Sequence, residues 1–219
     1  MHESRRYDDP CGIARALDVI GDRWALLVVR ELIFGPRRFV QLRSGLRSVS
    51  PNVLSQRLRD LEQAGVVRRD VLDPPASVAV YELTERGRAL QPVLAELGRW
   101  GSQEPLSGSG ELSTSALLLA IKTVFDPATA VDARFALDVD GDWFLLTVSG
   151  RAIDIARGRS PDAAVTFRAD AATLCAVAFG RESVAEAERA GRLAISGDRG
   201  LAERFPRLFP AGAARPRPS

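Results

Sequence analysis

Asn52, Ser55, Gln56 and Arg59 recur at i, i+3, i+4 and i+7, the spacing of one face of an α-helix. Two amides, a hydroxyl and a guanidinium on one face match the donor and acceptor pattern of base edges in a major groove. Asn52 and Gln56 suit adenine, Arg59 suits guanine or a phosphate, and Ser55 suits either. Leu54, Leu58 and Leu61 recur on the opposite side and predict a face turned to a core. Ser50 suits the N-cap, Pro51 the first helical position and Gly65 the stop, and the first two would lie at the groove with the helix. The bland alternative is an ordinary surface helix in a bundle.

Charge around this helix favours the first reading. Between positions 37 and 69 lie eight arginines, Arg37, Arg38, Arg43, Arg47, Arg57, Arg59, Arg68 and Arg69, against Asp60 and Glu62, a net +6. The whole chain carries only +2, so the remainder sums to −4. A local basic patch on a near-neutral protein is what phosphate binding requires. Arg37, Arg38 and Arg43, with Gln41 beside them, are expected at phosphates before the groove. Arg57, toward the flank of the apolar face, is expected on a phosphate or on Glu62.

Other chemistry finds little support. Cys11 and Cys175 are far apart, and His2 is the single histidine. That excludes a disulfide framework, zinc spacing and histidine-based catalysis, so no enzyme, metal or cofactor is expected. No apolar run is long enough for a membrane helix, and the charged first ten residues are no secretory signal. A cytoplasmic protein is expected.

The positioning elements follow in order. Pro10 to Ile20 predicts a helix with Ile13, Ala14, Leu17 and Ile20 on one side. Asp22 is expected to cap a second helix, Arg23 to Phe34, apolar all round and therefore buried. Arg37 to Leu46 predicts a third helix, and its short loop into the polar-faced helix is a helix-turn-helix arrangement. Val66 to Val71 and Val78 to Leu83 predict a hairpin, a wing, on which Arg68 and Ser77 are expected to meet DNA. Thr84 is expected to cap one long helix to Trp100, with Leu90, Val93, Leu94, Leu97 and Trp100 on its stripe. That stripe is larger than one small domain needs.

These residues form an ordered series: Cys11, Ile20–Gly21–Asp22–Arg23–Trp24, Gly35-x-x-Arg38–Phe39-x-x-Leu42, Ser50-x-x-x-Leu54-x-x-x-Leu58-x-x-Leu61–Glu62-x-x-Gly65–Val66–Val67-x-Arg69, Tyr81-x-Leu83–Thr84-x-x-Gly87 and Trp100–Gly101. The series resembles the HxlR family of bacterial winged-helix regulators over about the first hundred residues. The resemblance implies a homodimer on double-stranded operator DNA, joined through the helices Cys11 to Ile20 and Thr84 to Trp100. Cys11 matches the family's early cysteine, which in some such regulators senses oxidants or electrophiles; the alternative is a small apolar residue at the dimer contact. Ala79–Val80–Tyr81 stands where the family usually shows Val–Glu–Tyr. The wing tip carries no Arg or Lys, so positioning there falls to Arg68 or to backbone amides.

Residues 104–112 read as a linker, and the pattern then changes. A leucine-rich helix, Ser113 to Phe125, precedes four strands, with alternation at Val131, Ala133, Phe135, Leu137 and Val139, then at Phe144, Leu146 and Val148. Asp170 and Ser183 are expected to cap two helices, Leu193 and Ile195 to form a last strand, and Asp198 to begin a final helix. The fold class is α+β: an N-terminal winged helix-turn-helix domain, residues 1–103, then a smaller α+β domain, 113–209, with an antiparallel sheet covered on one face by helices, and a tail, 210–219. Pro161–Asp162-x-x-Val165-x-Phe167, Gly180-x-x-Ser183 and Gly191-x-Leu193-x-Ile195-x-Gly197–Asp198 resemble the sterol carrier protein 2-like fold. That resemblance implies an apolar cavity between sheet and helices and an apolar small-molecule ligand. Phe135, Trp143, Phe144, Phe167 and Phe179 are the candidate lining, or simply fill the core; Cys175 reads as core. The predicted function is a DNA-binding regulator modulated by such a ligand. The alternative is an apolar-ligand carrier with a vestigial head.

Overall fold

A computed structural model describes residues 7–71, 78–102 and 111–210. The chain divides into two compact units, residues 1–94 and 95–219.

The first unit begins with α1 (Gly12–Ile20), α2 (Ala25–Leu32), α3 (Phe39–Gly45) and α4 (Pro51–Gln63). α4 forms where its signals place it. Ser50 Oγ accepts the Val53 N–H at 3.4 Å, and Gly65 takes φ +67° just past the end. Leu54, Leu58 and Leu61 are buried, and α4 packs on α2.

Two expectations about α2 fail. Asp22 does not cap it; the N-cap is Trp24, in the left-handed region at φ +78°, with no side-chain bond to the helix. The carboxylate of Asp22 turns to Arg57 instead. Nor is α2 buried all round, since Leu27 is exposed and Leu26 half-buried. On α1, Ala14 and Ile20 are buried while Ile13 and Leu17 are exposed, so the expected single apolar side is split.

The wing pairs β1 (Val67–Val71) with β2 (Ala79–Leu83) antiparallel, Val67 opposite Leu83 and Arg69 opposite Tyr81. Its tip, residues 72–77, lies outside the described residues. Arg37 and Tyr81 exchange backbone hydrogen bonds of 2.9 and 2.8 Å, which ties the entry of α3 to the wing.

The long helix expected after Thr84 is broken into α5 (Glu85–Arg88) and α6 (Gln91–Gly101). Pro92 is the cause: it has no N–H to give the carbonyl of Arg88, so the ladder stops and restarts. Thr84 caps α5 as expected, its Oγ1 accepting the Gly87 N–H at 3.1 Å. Gly87 is required there, because a Cβ would stand 2.1 Å from the Val66 carbonyl oxygen. The division between the units falls within α6.

The second unit opens with α7 (Thr114–Val124), then β3 (Ala133–Val139), β4 (Asp142–Ser149), β5 (Ala152–Arg157), β6 (Val165–Ala169), α8 (Ala171–Ala178), α9 (Val184–Arg189), β7 (Ala194–Gly197), α10 (Arg199–Arg204) and a 3-10 turn, Phe205–Leu208. Asp140 and Gly141, at φ +54° and +86°, make the two-residue turn between β3 and β4. The sheet order is β5-β4-β3-β6-β7.

The sheet is mixed rather than antiparallel, because β6 lies parallel to β3. Residues 158–164 produce this by crossing from the β5 edge over the sheet face that bears Trp143 and Arg134. Gly158 N–H donates to Trp143 O at 2.8 Å, Arg134 pairs with Asp162 at 3.6 Å, and Ala164 N–H donates to Arg134 O at 2.9 Å. The other face carries the core, with Phe135, Leu137, Val139, Phe144, Leu146, Val148 and Phe167 all buried.

Candidate nucleic-acid interface

On α4 the face opposite the leucines is open. Asn52, Gln56 and Arg59 are exposed and Ser55 is half-exposed. The face is also internally bonded. Gln56 Nε2 donates to Asp60 Oδ1 at 2.7 Å, and Arg59 Nη2 donates to Gln56 Oε1 at 2.6 Å. Arg57 Nη1 donates to Asp60 Oδ2 at 3.1 Å and pairs with the Asp22 carboxylate from the turn between α1 and α2. Neither Asp60 nor Asp22 was expected from the sequence as a partner of the α4 side chains. The i, i+4 spacing of Gln56 and Asp60 is the signal that marks the first; nothing local marks the second.

Arg57 is therefore a tie to Asp22 and Asp60 rather than to Glu62. Its side chain is only 15% exposed, set between two carboxylates that neutralise it. Arg37 also departs from its expected place, since at 7% exposure it is a buried support of the α3 entry rather than a surface clamp.

Exposed cations stand on the elements that precede and follow α4 in the chain. Arg38 and Arg43 are exposed on α3 and carry no ion pair among the described residues. The Arg38 backbone N–H donates to Gln41 Oε1 at 2.8 Å, so Gln41 closes the first turn of α3 while standing at the surface. Ser50 and Pro51 are exposed at the entry of α4.

On the wing the two arginines differ. Arg68 Nε donates to Glu82 Oε1 at 2.6 Å across the hairpin, which neutralises it locally. Arg69, opposite Tyr81, is exposed and has no ion pair among the described residues. Cross-strand pairing is the signal that separates them, and it makes Arg69 the better wing cation. Ser77 lies outside the described residues.

Cys11 is the N-cap of α1. Its Sγ is exposed and accepts the Ala14 N–H at 3.3 Å.

In the second unit the candidate apolar residues do not share one place. Phe135, Phe144 and Phe167 are fully buried on the core face. Phe205 packs against two of them, with ring centres 5.2 Å from Phe135 and 4.8 Å from Phe167, and Phe209 stands 5.1 Å from Phe205. Sequence reasoning missed Phe205 and Phe209, although their i, i+4 spacing near the chain end was visible. Trp143 is corrected: successive strand residues point to opposite faces, so next to Phe144 it faces away from the core. There the Arg159 guanidinium lies 4.3 Å and that of Arg168 5.5 Å from its ring centre. Phe179, half-exposed at the end of α8, makes no ring contact with the cluster among the described residues. Cys175, read as core, is half-buried on α8, and that burial raises its thiol pKa.

Among the described residues no three His, Cys, Asp or Glu side chains are grouped to hold a metal ion, and no helix is long and apolar enough to cross a membrane.

Residues 120–210 match the SCP-2 sterol transfer family. Residues 19–106 match the HxlR-like helix-turn-helix family. YvaP of Bacillus subtilis, described as an uncharacterized HTH-type transcriptional regulator, is 39% identical over 89 residues, covering 41% of this chain and 82% of the relative. The HTH-type transcriptional regulator YodB of Bacillus subtilis is 38% identical over 88 residues, covering 40% of this chain and 79% of the relative. The solved reduced form of YodB, at 34% identity, covers 46% of this chain and all of that one with a TM-score of 0.40. With a helix-turn-helix, a wing and relatives matched over most of their own length, the chain belongs to the HxlR-like helix-turn-helix family.

Proposed function

We propose that the chain is a transcriptional regulator that binds operator DNA as a homodimer, with one α4 in the major groove of each half-site. The observation that carries this is the outer face of α4: Asn52, Ser55, Gln56 and Arg59 reach solvent from a helix anchored by buried leucines. Arg38 and Arg43 beside it, and Arg69 on the wing, supply phosphate contacts that fix register without reading sequence. Arg68, Gln41, Ser50 and Pro51 line the approach. A cytoplasmic location is proposed with this reading, supported by relatives that are transcriptional regulators.

Support for the dimer comes from apolar side chains left in water. α1 exposes Ile13 and Leu17, and α6 exposes Val93, Leu97 and Trp100 at i, i+4 and i+7. The domain scheme proposed with this reading is a winged-helix unit to residue 103, a linker at 104–112, the second unit at 113–209 and a tail. Selection of binding sites from a random duplex library tests the reading. The expected product is a two-fold site with half-sites about 34 Å apart; recovery of no sequence rejects it.

The second unit is proposed to take an apolar ligand, which would act only through unequal affinity for two arrangements of the protein. Its support is the match to the sterol transfer family. Phe205 fills the space beside Phe135 and Phe167, and Phe209 packs on Phe205, so a ligand entering beside those two rings must displace Phe205. Titration with a fluorescent fatty acid, with and without selected DNA, checks this; binding that leaves DNA affinity unchanged removes the unit as sensor. A sensing role for Cys11 rests on its exposure and its place at the start of α1. Treatment with a quinone should lower DNA affinity in the native chain and not in Cys11→Ser. A carrier with a vestigial head gives no reason for the ordered polar face of α4.

A further inference from the structure

The carboxamide of Gln56 has two ends of nearly equal size and opposite chemistry. Its nitrogen brings two N–H donors and its oxygen two acceptor positions. A free glutamine presents either end to a base, because the terminal torsion is broad and roughly two-fold. In α4 the two neighbours remove that freedom. Asp60 only accepts, and it takes the nitrogen end at 2.7 Å. Arg59 only donates, and it takes the oxygen end at 2.6 Å. Turning the amide over would set its oxygen against the carboxylate and its N–H groups against the guanidinium, so two attractions would become two repulsions. One N–H and one oxygen acceptor position remain, which is what adenine N7 and the adenine 6-amino group require.

Asp60 is itself held. Its second oxygen, Oδ2, accepts from Arg57 Nη1 at 3.1 Å, and Arg57 is anchored by Asp22. The carboxylate thus divides its two oxygens between the tie beneath and the reading residue above. An anion on a DNA-facing helix weakens binding to every duplex through repulsion from phosphates, a disadvantage that specificity offsets.

On the reading of α4 given under Proposed function, we propose that Asp60 is a specificity-determining positioning residue: with Arg59 it fixes which end of the Gln56 amide faces the base.

The test is selection from a random duplex library by the full chain, with base preference read at each position, plus affinity for one unselected duplex. Gln56→Ala identifies the position that Gln56 reads. Asp60→Asn keeps the shape but offers an amide that pairs with either end of Gln56. It is expected to lower discrimination at that position about tenfold while binding the unselected duplex as tightly as the native chain or more so. Asp60→Ala, favourable in a helix interior, is expected to do the same and serves if the first variant does not fold. Asp22→Asn breaks the tie to Arg57 but leaves both partners of Gln56, so its base profile should equal the native one. Native discrimination in Asp60→Asn or Asp60→Ala overturns the proposal, as does an equal loss in Asp22→Asn, which would signal general loosening of α4. Failure of the native chain to select any sequence is a separate outcome that rejects the regulator reading, and the proposal with it.

Discussion

Arg57 and Arg59 stand two positions apart on α4 and end in opposite roles, because two residues of helix turn the side chain about 200°. Arg59 faces out, while Arg57 is enclosed by Asp22 and Asp60. The outward residues were legible from periodicity alone. The fate of each arginine was not, since it depends on partners distant in sequence: Asp22 for Arg57, Glu82 for Arg68, the Tyr81 backbone for Arg37. Two expected outcomes separate reading from clamping. Gln56→Ala changes sequence preference, whereas Arg43→Ala weakens all duplexes alike and reduces the salt slope by about one. Binding titrations over a range of salt, on a selected and an unselected duplex, check both; equal loss on every duplex for Gln56→Ala counts against base reading.

At the scale of elements, caps were the best guide. Ser50, Thr84, Asp170 and Ser183 each accept a backbone N–H from the first turn of the helix they were expected to begin. Asp22 failed because a left-handed Trp24 delays the helix, a backbone state that no side-chain pattern announces. The break at Pro92 was visible and was overridden by the apolar stripe around it. The parallel β3–β6 pair was hidden, since the short connection 158–164 gives no helical crossover pattern. Gly87→Ala should cost about 1–3 kcal/mol through overlap with the Val66 carbonyl, seen as a lower midpoint of thermal unfolding with unchanged mass. Asp170 supplies a pH dependence. The Thr173 N–H and hydroxyl bonded to its carboxylate hold its pKa below the ordinary range. Its contribution to stability is therefore full above the unfolded-state value and is lost as pH falls through the lower folded value. Asp170→Asn keeps a good cap and should flatten that part of the acid unfolding curve; an unchanged curve excludes Asp170 as its source.

At the scale of the molecule, the order of elements in the first unit was legible except for the division of the helix after Thr84 into α5 and α6. The order of elements in the second unit was legible too, but the parallel β3–β6 pair and the place of the aromatic residues were not, because an aromatic set reads the same whether it fills a core or lines a cavity. Exposed Leu97 and Trp100 on α6 belong to the proposed subunit contact. Leu97→Glu with Trp100→Glu should halve the mass in light scattering and weaken binding to a two-fold site far more than to a half-site; an unchanged mass removes α6 from the contact. The most direct measurement attaches a DNA-cleaving reagent to a cysteine placed at Ser55, in a chain carrying Cys11→Ser and Cys175→Ser, and maps the cuts on a selected duplex. Two clusters of cuts in the major groove, about 34 Å apart, are expected; cuts confined to the minor groove, or none above those of free reagent, would contradict the placement of α4 in the duplex.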